Sequence, residues 1–219
     1  MLPDVLQVHL LSDTTCGCGE GTPGEVDVEI EHDSLGLPVI GGKAIHGLLR
    51  ETWLTMRSFF PELWDAGDRV FGLPGTFDEV AILRIGKAQI PGNIRRWVEA
   101  AASRKPHPVP QGVILRGFTD IRRQTSISRA TGTPKGGTLR SSRVAVRGLI
   151  LDAPLMWVQG HGSSAPTDAD LKVLAMAACG SRHIGLARNR GRGHVKLSIF
   201  EGPRDVTEHL IRAGGESGC

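Results

Sequence analysis

The first hydrophobic run, VLQVHLL (5–11), alternates and is rich in Val and Leu, the period of a half-buried strand. The glycines and proline of CGCGEGTPGE (16–25) mark a loop. VDVEI (26–30) alternates again and reads as an extended segment or edge strand, and HDSLGLPVIGG (32–42) is irregular. From Lys43 the period changes: Ile45, Leu48, Leu49, Trp53 and Met56 recur at helical spacing, the strongest helix signal in the chain. PELWDAGDRVFG (61–72) predicts a short helix, with Pro61 at its first position and Gly72 ending it. EVAILRIGKAQI (79–90) predicts a strand and IRRWVEAAA (94–102) a short helix, whereas KPHPVPQG (105–112) excludes regular structure. Gly112 to Leu139 is polar, basic and rich in Gly, Ser and Thr; a plain loop of that length inside a domain points to function. VAVRGLILDAPLMWVQ (144–159) reads as a strand or hairpin. Thr167 is placed to cap a helix over 168–180, which Gly180 ends. A glycine- and arginine-rich loop (185–193), a strand (194–200) and a last short helix (205–213) follow. The order β-α-α-β-insert-β-α-loop-β, without an internal repeat, predicts an α+β fold: a ferredoxin-like antiparallel sheet with helices on one face.

Composition narrows this picture. A chain of 219 residues suits one domain with elaborations and can bury a real core. No run of apolar residues is long enough to span a membrane. The N-terminus lacks the basic start and small-residue cleavage site of a signal peptide, and four cysteines are too few for a disulfide scaffold, so a cytoplasmic location is expected. The net charge of +3 conceals a segregation. Residues 1–33 carry eight acids and no Lys or Arg; Arg84 to Arg147 carries fourteen basic residues against Glu99 and Asp120 alone; Arg182 to Lys196 adds five more and no acid. Such a split suits a polyanion on the basic part and a metal or catalytic role for the acids. Charges that balance one another across the folded surface account for it equally well.

Three segments carry candidate chemistry. In GLPVIGGKAIHGLLRETW an apolar segment meets Gly41 and Gly42, and a helix opens with Lys43 and runs past His46 to Arg50; backbone N–H groups there favour phosphate. The P-loop spacing is absent, and a tight turn before a core helix explains the same residues. In GLARNRGRGHV, Arg188, Arg190 and Arg192 lie among glycines; arginine forks grip phosphate oxygens while glycine lets the backbone wrap them. The loop joins a core helix to a core strand, which favours RNA or DNA over a merely flexible basic segment. In the 112–147 segment, hydroxyls and arginines including Arg122, Arg123 and Arg129 suit a nucleic-acid backbone followed without base reading. Cys16-Gly17-Cys18, with only Cys179 and Cys219 elsewhere, makes no recognisable zinc spacing, even with His9, His32 and His183 to hand.

Taken in order, these segments resemble the RAMP superfamily of CRISPR-associated proteins, and within it the backbone (Cas seven-type) subunit of type III effector complexes. LPVIGGKAIHGLLRE is similar to the family's LP…PGSSLKG…R signature, with Gly41 in place of proline and His46 in place of lysine. VFGLPG (70–75) is similar to its LFG segment. TSISRATGTPKGGTLRSSRVAVRGLIL resembles its thumb, although Ser128 replaces an aspartate and an acidic position near Ser142 is lost. IGLARNRGRGHVKL resembles its C-terminal glycine-rich loop. The likeness runs from about Val5 to Phe200.

The resemblance implies a modified RRM-like fold, a single RAMP domain over 1–219, with a thumb-like insertion at 104–147 and a catalytic loop. It implies copies stacked along a guide CRISPR RNA beside other type III subunits, a complementary target RNA cut at regular intervals, and no membrane. GEVDVEIEHD (24–33) lies over the family's G-A-I-D-x-P-V-x-x-D pattern, which puts Asp27 at the cutting position and Asp33 at the second aspartate. Asp27 would accept a proton or hold Mg2+ or another divalent cation, with His32 as an assisting acid or base. Gly41, Gly42, Lys43, His46, Arg50, Arg122, Arg123, Arg129, Arg188, Arg190 and Arg192 would hold RNA, with Gly42 and the 185–193 loop side by side as a groove. Two related readings compete: an inert scaffold of the same complex, and an endoribonuclease that matures the CRISPR RNA precursor with His46 as base. An unrelated basic α+β domain is the third. The absence of Tyr and an aromatic content of 5% argue against the stacking platforms of an ordinary RRM.

Overall fold

The computed structural model of the chain describes residues 2–72, 81–158 and 165–213. Its main sheet is built on β1 (Val5–Leu10), which pairs antiparallel with β7 (Ile150–Trp157) on one side and β8 (Val195–Glu201) on the other. Leu6, Ala153 and Ile199 lie in one row, and Val8, Leu151 and Leu197 in the next. All six are buried, so the alternation read in the sequence becomes one apolar sheet face. Beyond β7 come β4 (Ala88–Gln89) and β2 (Val39–Ile40), with β3 (Leu83–Ile85) also on β7; β9 (Arg204–Asp205) closes the other edge.

The apolar face is covered by α1 (Gly42–Met56), α2 (Trp64–Phe71) and α5 (Asp168–Gly180), which pack on one another. Ile45, Leu48, Leu49 and Trp53 of α1 are buried, as their spacing predicts. Thr167 caps α5 with a capping box that also uses the wholly buried Asp170. The central strands β1 and β7 each begin a half: β1-α1-β3/β4, then β7-α5-β8, with α6 (Thr207–Ala213) at the end. This is the ferredoxin-like arrangement, an antiparallel sheet with helices on one face.

The insert departs from the sequence reading. Between α3 (Gly92–Ala102) and β7 lie α4 (Gln111–Phe118) and a two-stranded ribbon, β5 (Thr119–Gln124) against β6 (Arg140–Ala145). The polar composition hid both. Buried Ile114 and half-buried Phe118 anchor the short α4 on the core, and the ribbon pairs with itself over six registered positions. The segment 144–159 is not one hairpin, for β6 and β7 belong to different sheets; Gly148, at φ +85°, turns the chain between them and donates its N–H to Leu10. The 79–90 strand is split at Gly86, which packs against Pro154. VDVEI is extended but forms isolated bridges rather than a ladder. Leu73–Gly75 of the VFGLPG motif, Glu79, Val80, Gln159 and Cys219 lie outside the described residues.

Candidate nucleic-acid interface

The loop 13–33 leaves β1 and lies along the ribbon. Val28 forms a parallel bridge to Ser142, the Arg143 N–H donates to the Val28 carbonyl (2.9 Å), and Thr14 bridges Ala145. Here the two charge blocks meet. Arg143, 3% exposed, donates from Nε to both Glu29 oxygens (2.8 and 3.0 Å) and from Nη2 to Glu25 (3.1 Å). A buried guanidinium with two carboxylates is satisfied in place, and removing it would strand Glu29, which is itself buried. Arg122 of β5 is bound by Asp13 (2.7 Å from Nη2) and Asp120 (2.8 Å). Lys87 pairs with Glu31 and Arg95 with Asp33. Much of the segregated charge therefore cancels inside the fold.

Asp27 forms no ion pair among the described residues, and its side chain is exposed. Its Oδ2 accepts hydrogen bonds from the Ser141 N–H (2.6 Å) and the Ser141 hydroxyl (3.0 Å), while its own N–H donates to the Ser141 carbonyl (3.1 Å). These donors, the backbone one first, hold its carboxyl below the ordinary carboxylate range. His32 and Asp33 sit elsewhere, in a turn. Asp33 Oδ1 accepts from the Leu35 and Leu37 N–H groups (2.8 and 3.0 Å), Oδ2 binds Arg95, and its side chain is only 12% exposed. The His32 Nδ1 lies 3.0 Å from the Asp33 carbonyl. Both residues thus serve the turn that delivers β2. With the neighbouring acids committed to Arg143, Lys87 and Arg95, no three His, Cys, Asp or Glu side chains among the described residues converge to hold a metal. The donor set around Asp27 does not fit a resident Mg2+. Cys16 is a partly buried thiol whose pKa is pushed up to about 12 by desolvation and then by Glu31.

The glycine- and arginine-rich loop packs onto the same junction. The Leu186 N–H donates to Thr15 (2.8 Å), the Gly193 N–H to Asp13 (3.0 Å), and Arg192 to the Ser142 hydroxyl (3.0 Å). Gly185 and Gly193 adopt positive φ (79° and 72°), and a Cβ on either would strike the Thr15 or Ile184 carbonyl. Ala187 also sits in the left-handed region (φ 59°), ahead of a 3-10 turn at Arg188–Arg190. Arg188 and Arg190 are exposed; Arg188 is 3.4 Å from Glu51, and Arg190 forms no ion pair among the described residues. With Glu51 and His183, this loop lines an open groove.

The α1 residues divide. Gly42 is buried where a Cβ would collide with the Ile85 carbonyl, and Lys43 is exposed beside it. Gly41 lies near the Glu31 carboxylate, so that helix start already faces an acid. His46 packs edge-on against Phe71 at 5.8 Å, a contact between α1 and α2. The Arg50 Nε is buried with no hydrogen-bond partner among the described residues. The loop 185–193 reaches α1 through Arg188 at Glu51, about 13 Å along the helix from Gly42 at 1.5 Å per residue. Beyond that contact it hydrogen-bonds to Asp13, Thr15 and Ser142. Arg123 and Arg129 are exposed on the ribbon and its tip. Sequence reasoning passed over Ser141 and Arg143. Their partners lie 114 or more positions away, and no local pattern encodes such a pairing.

The model of the RAMP superfamily matches residues 7–196. A search of curated protein sequences finds no match. Solved structures share the fold, two of Type III-B Cmr-beta among them. The Type III-B Cmr-beta bound to cognate target RNA superposes with a TM-score of 0.61 at 12% identity, over 96% of this chain and 99% of that one. The Apo state of Type III-B Cmr-beta gives 0.64 at 13% identity, over 91% and 98%.

Proposed function

The chain belongs to the RAMP superfamily, and from that membership we propose that it is a CRISPR RNA-binding backbone subunit of a type III effector complex that cuts complementary target RNA with Asp27. One observation carries the reading: the exposed Asp27 carboxylate is fixed near the tip end of a basic ribbon, beside an arginine loop, while Glu25 and Glu29 on either side of it are paired with Arg143. The fold it shares with Type III-B Cmr-beta, in a structure bound to cognate target RNA, supports the subunit part of this reading.

In this reading Lys43, Arg50, Arg188, Arg190 and Arg192 bind guide phosphates, and the insertion 104–147 acts as the thumb, with Arg123 and Arg129 over the duplex. Recognition is of backbone and shape, and guide pairing reads the sequence. At each cut a target 2′-oxygen attacks the adjacent phosphorus in line. The bond from phosphorus to the 5′-oxygen breaks, leaving a 2′,3′-cyclic phosphate and a 5′-hydroxyl. Asp27 Oδ1, the oxygen that Ser141 does not occupy, takes the 2′-hydroxyl proton, and water protonates the leaving oxygen. The inert-scaffold reading keeps every contact to RNA and assigns Asp27 to tethering the loop alone. A precursor-maturing enzyme with His46 as base has less support, because that ring is spent in a contact between helices.

The test is cleavage by the complex assembled from purified subunits with guide RNA and magnesium, comparing wild type with Asp27→Ala. Regularly spaced products that vanish in the variant, with guide and target still bound, support the proposal. A ladder that persists in the variant overturns the assignment of Asp27. Binding without cutting by wild type establishes the scaffold.

A further inference from the structure

We infer that Ser141 is a positioning residue for the cut, an inference that rests on the role proposed for Asp27. Ser141 is the second residue of β6, where the ribbon leaves the long connection at its tip. It grips Asp27 through four contacts: its N–H and hydroxyl both donate to Oδ2, and its carbonyl and hydroxyl oxygens share the Asp27 N–H. Backbone and carboxylate of one residue are thereby fixed on the backbone and side chain of another. An exposed aspartate held only by its own loop would sample several rotamers. Here two convergent donors select one and leave Oδ1 at a set distance from β6.

The neighbouring residues make this grip a rigid joint. Two positions along the ribbon Arg143 is locked by Glu25 and Glu29, on either side of Asp27 in the loop. Ser142, between them, takes Arg192 from the arginine loop. Three consecutive ribbon residues, Ser141 to Arg143, therefore link the carboxylate, the acidic loop and the arginine loop. If the ribbon lies over the duplex as the thumb, it also fixes where Asp27 meets the backbone. Ser141 acts through Asp27 and touches no reacting atom. Displacements near 1 Å at a reacting group cost up to about a hundredfold in rate, so a lost rotamer constraint should be visible in turnover and in cut position.

The experiment uses the assembled complex with Ser141→Ala, Ser141→Thr and Asp27→Ala, measuring single-turnover cleavage, product lengths at nucleotide resolution and target affinity. Ser141→Ala keeps the backbone donor and loses the hydroxyl. The expected result is a rate loss of about tenfold or more, cuts spread onto neighbouring phosphates, unchanged target affinity, and recovery of rate and register in Ser141→Thr. Wild-type rate and register in Ser141→Ala, with Asp27→Ala inactive, overturn the inference and leave the role of Asp27 standing. A rate loss in Ser141→Ala that tracks weakened target binding, or that Ser141→Thr fails to restore, also overturns it. Cutting by Asp27→Ala at the wild-type rate overturns the reading beneath it.

Discussion

The junction between the acidic loop and the ribbon, and the arginine loop beside it, are both rich in charge and use it in opposite ways. At the junction the cations that face the acidic loop have carboxylates: Arg143 with Glu25 and Glu29, Arg122 with Asp13 and Asp120. In the loop 185–193, Arg190 has none among the described residues and Arg188 only a long contact between exposed groups. Charge satisfied within the chain holds the fold. Charge left facing solvent is available to phosphate. The segregation in the sequence contains both kinds and does not separate them.

The sharpest way to break this contrast is to remove one arginine from each region. Arg143→Met should destabilise the protein by about 3–5 kcal/mol, because Glu29 stays buried without its partner. Denaturant unfolding measures it, and a loss under 1 kcal/mol would show that the junction relaxes and that its ion triad is dispensable. Arg190→Ala, by contrast, should leave stability within about 0.5 kcal/mol of wild type. It should instead weaken single-stranded RNA binding and lower the salt slope by about 0.7, one phosphate contact. Equal salt slopes for wild type and Arg190→Ala would remove that arginine from the interface.

How much of this was readable beforehand depends on how far apart the partners lie. The alternation of Val5 to Leu10, the spacing of Ile45 to Met56 and the Thr167 cap are local signals, and the sheet, α1 and α5 follow from them. The family motifs mark Asp27 and the arginine loop as candidates from sequence alone. Missing were the ribbon, whose polar strands carry no apolar period, and the Ser141–Asp27 and Arg143–Glu29 contacts that span 114 positions. Asp33 illustrates the converse. Its place in a motif suggested chemistry, whereas its carboxylate closes a turn on Leu35 and Leu37.

The contrast also has a dependence on pH. Hydrogen bonds from Ser141 depress the pKa of Asp27 in the folded protein relative to the unfolded chain. A depressed carboxylate contributes stability above its unfolded pKa, near 4, and that contribution fades as pH falls through the lower folded value. The melting temperature of wild type should therefore exceed that of Asp27→Asn at pH 7, and the gap should close in the acid range. A gap that persists unchanged to pH 2 would mean that ionisation of Asp27 is not what Ser141 stabilises. The effect is smaller than that at Arg143, because Asp27 is exposed and water screens it.

The smallest effect tests the other side of the comparison. Among the described residues Glu51 is the one acid lining the groove of the arginine loop, with its carboxylate 3.4 Å from Arg188 and both side chains well exposed. Pairs of that kind contribute about 0–1 kcal/mol, so Glu51→Gln should leave the unfolding midpoint almost unmoved. A carboxylate beside a cation that binds phosphate also competes with the phosphate. Its removal should release Arg188 and tighten RNA binding by up to about fivefold at low salt, with the gain shrinking as salt screens the pair. Weaker RNA binding in Glu51→Gln would instead mean that Glu51 orients Arg188 toward the strand. The pair would then belong with the internally satisfied charges of the ribbon junction, and the division between charge that builds the fold and charge that meets RNA would have to be drawn at Arg190 instead.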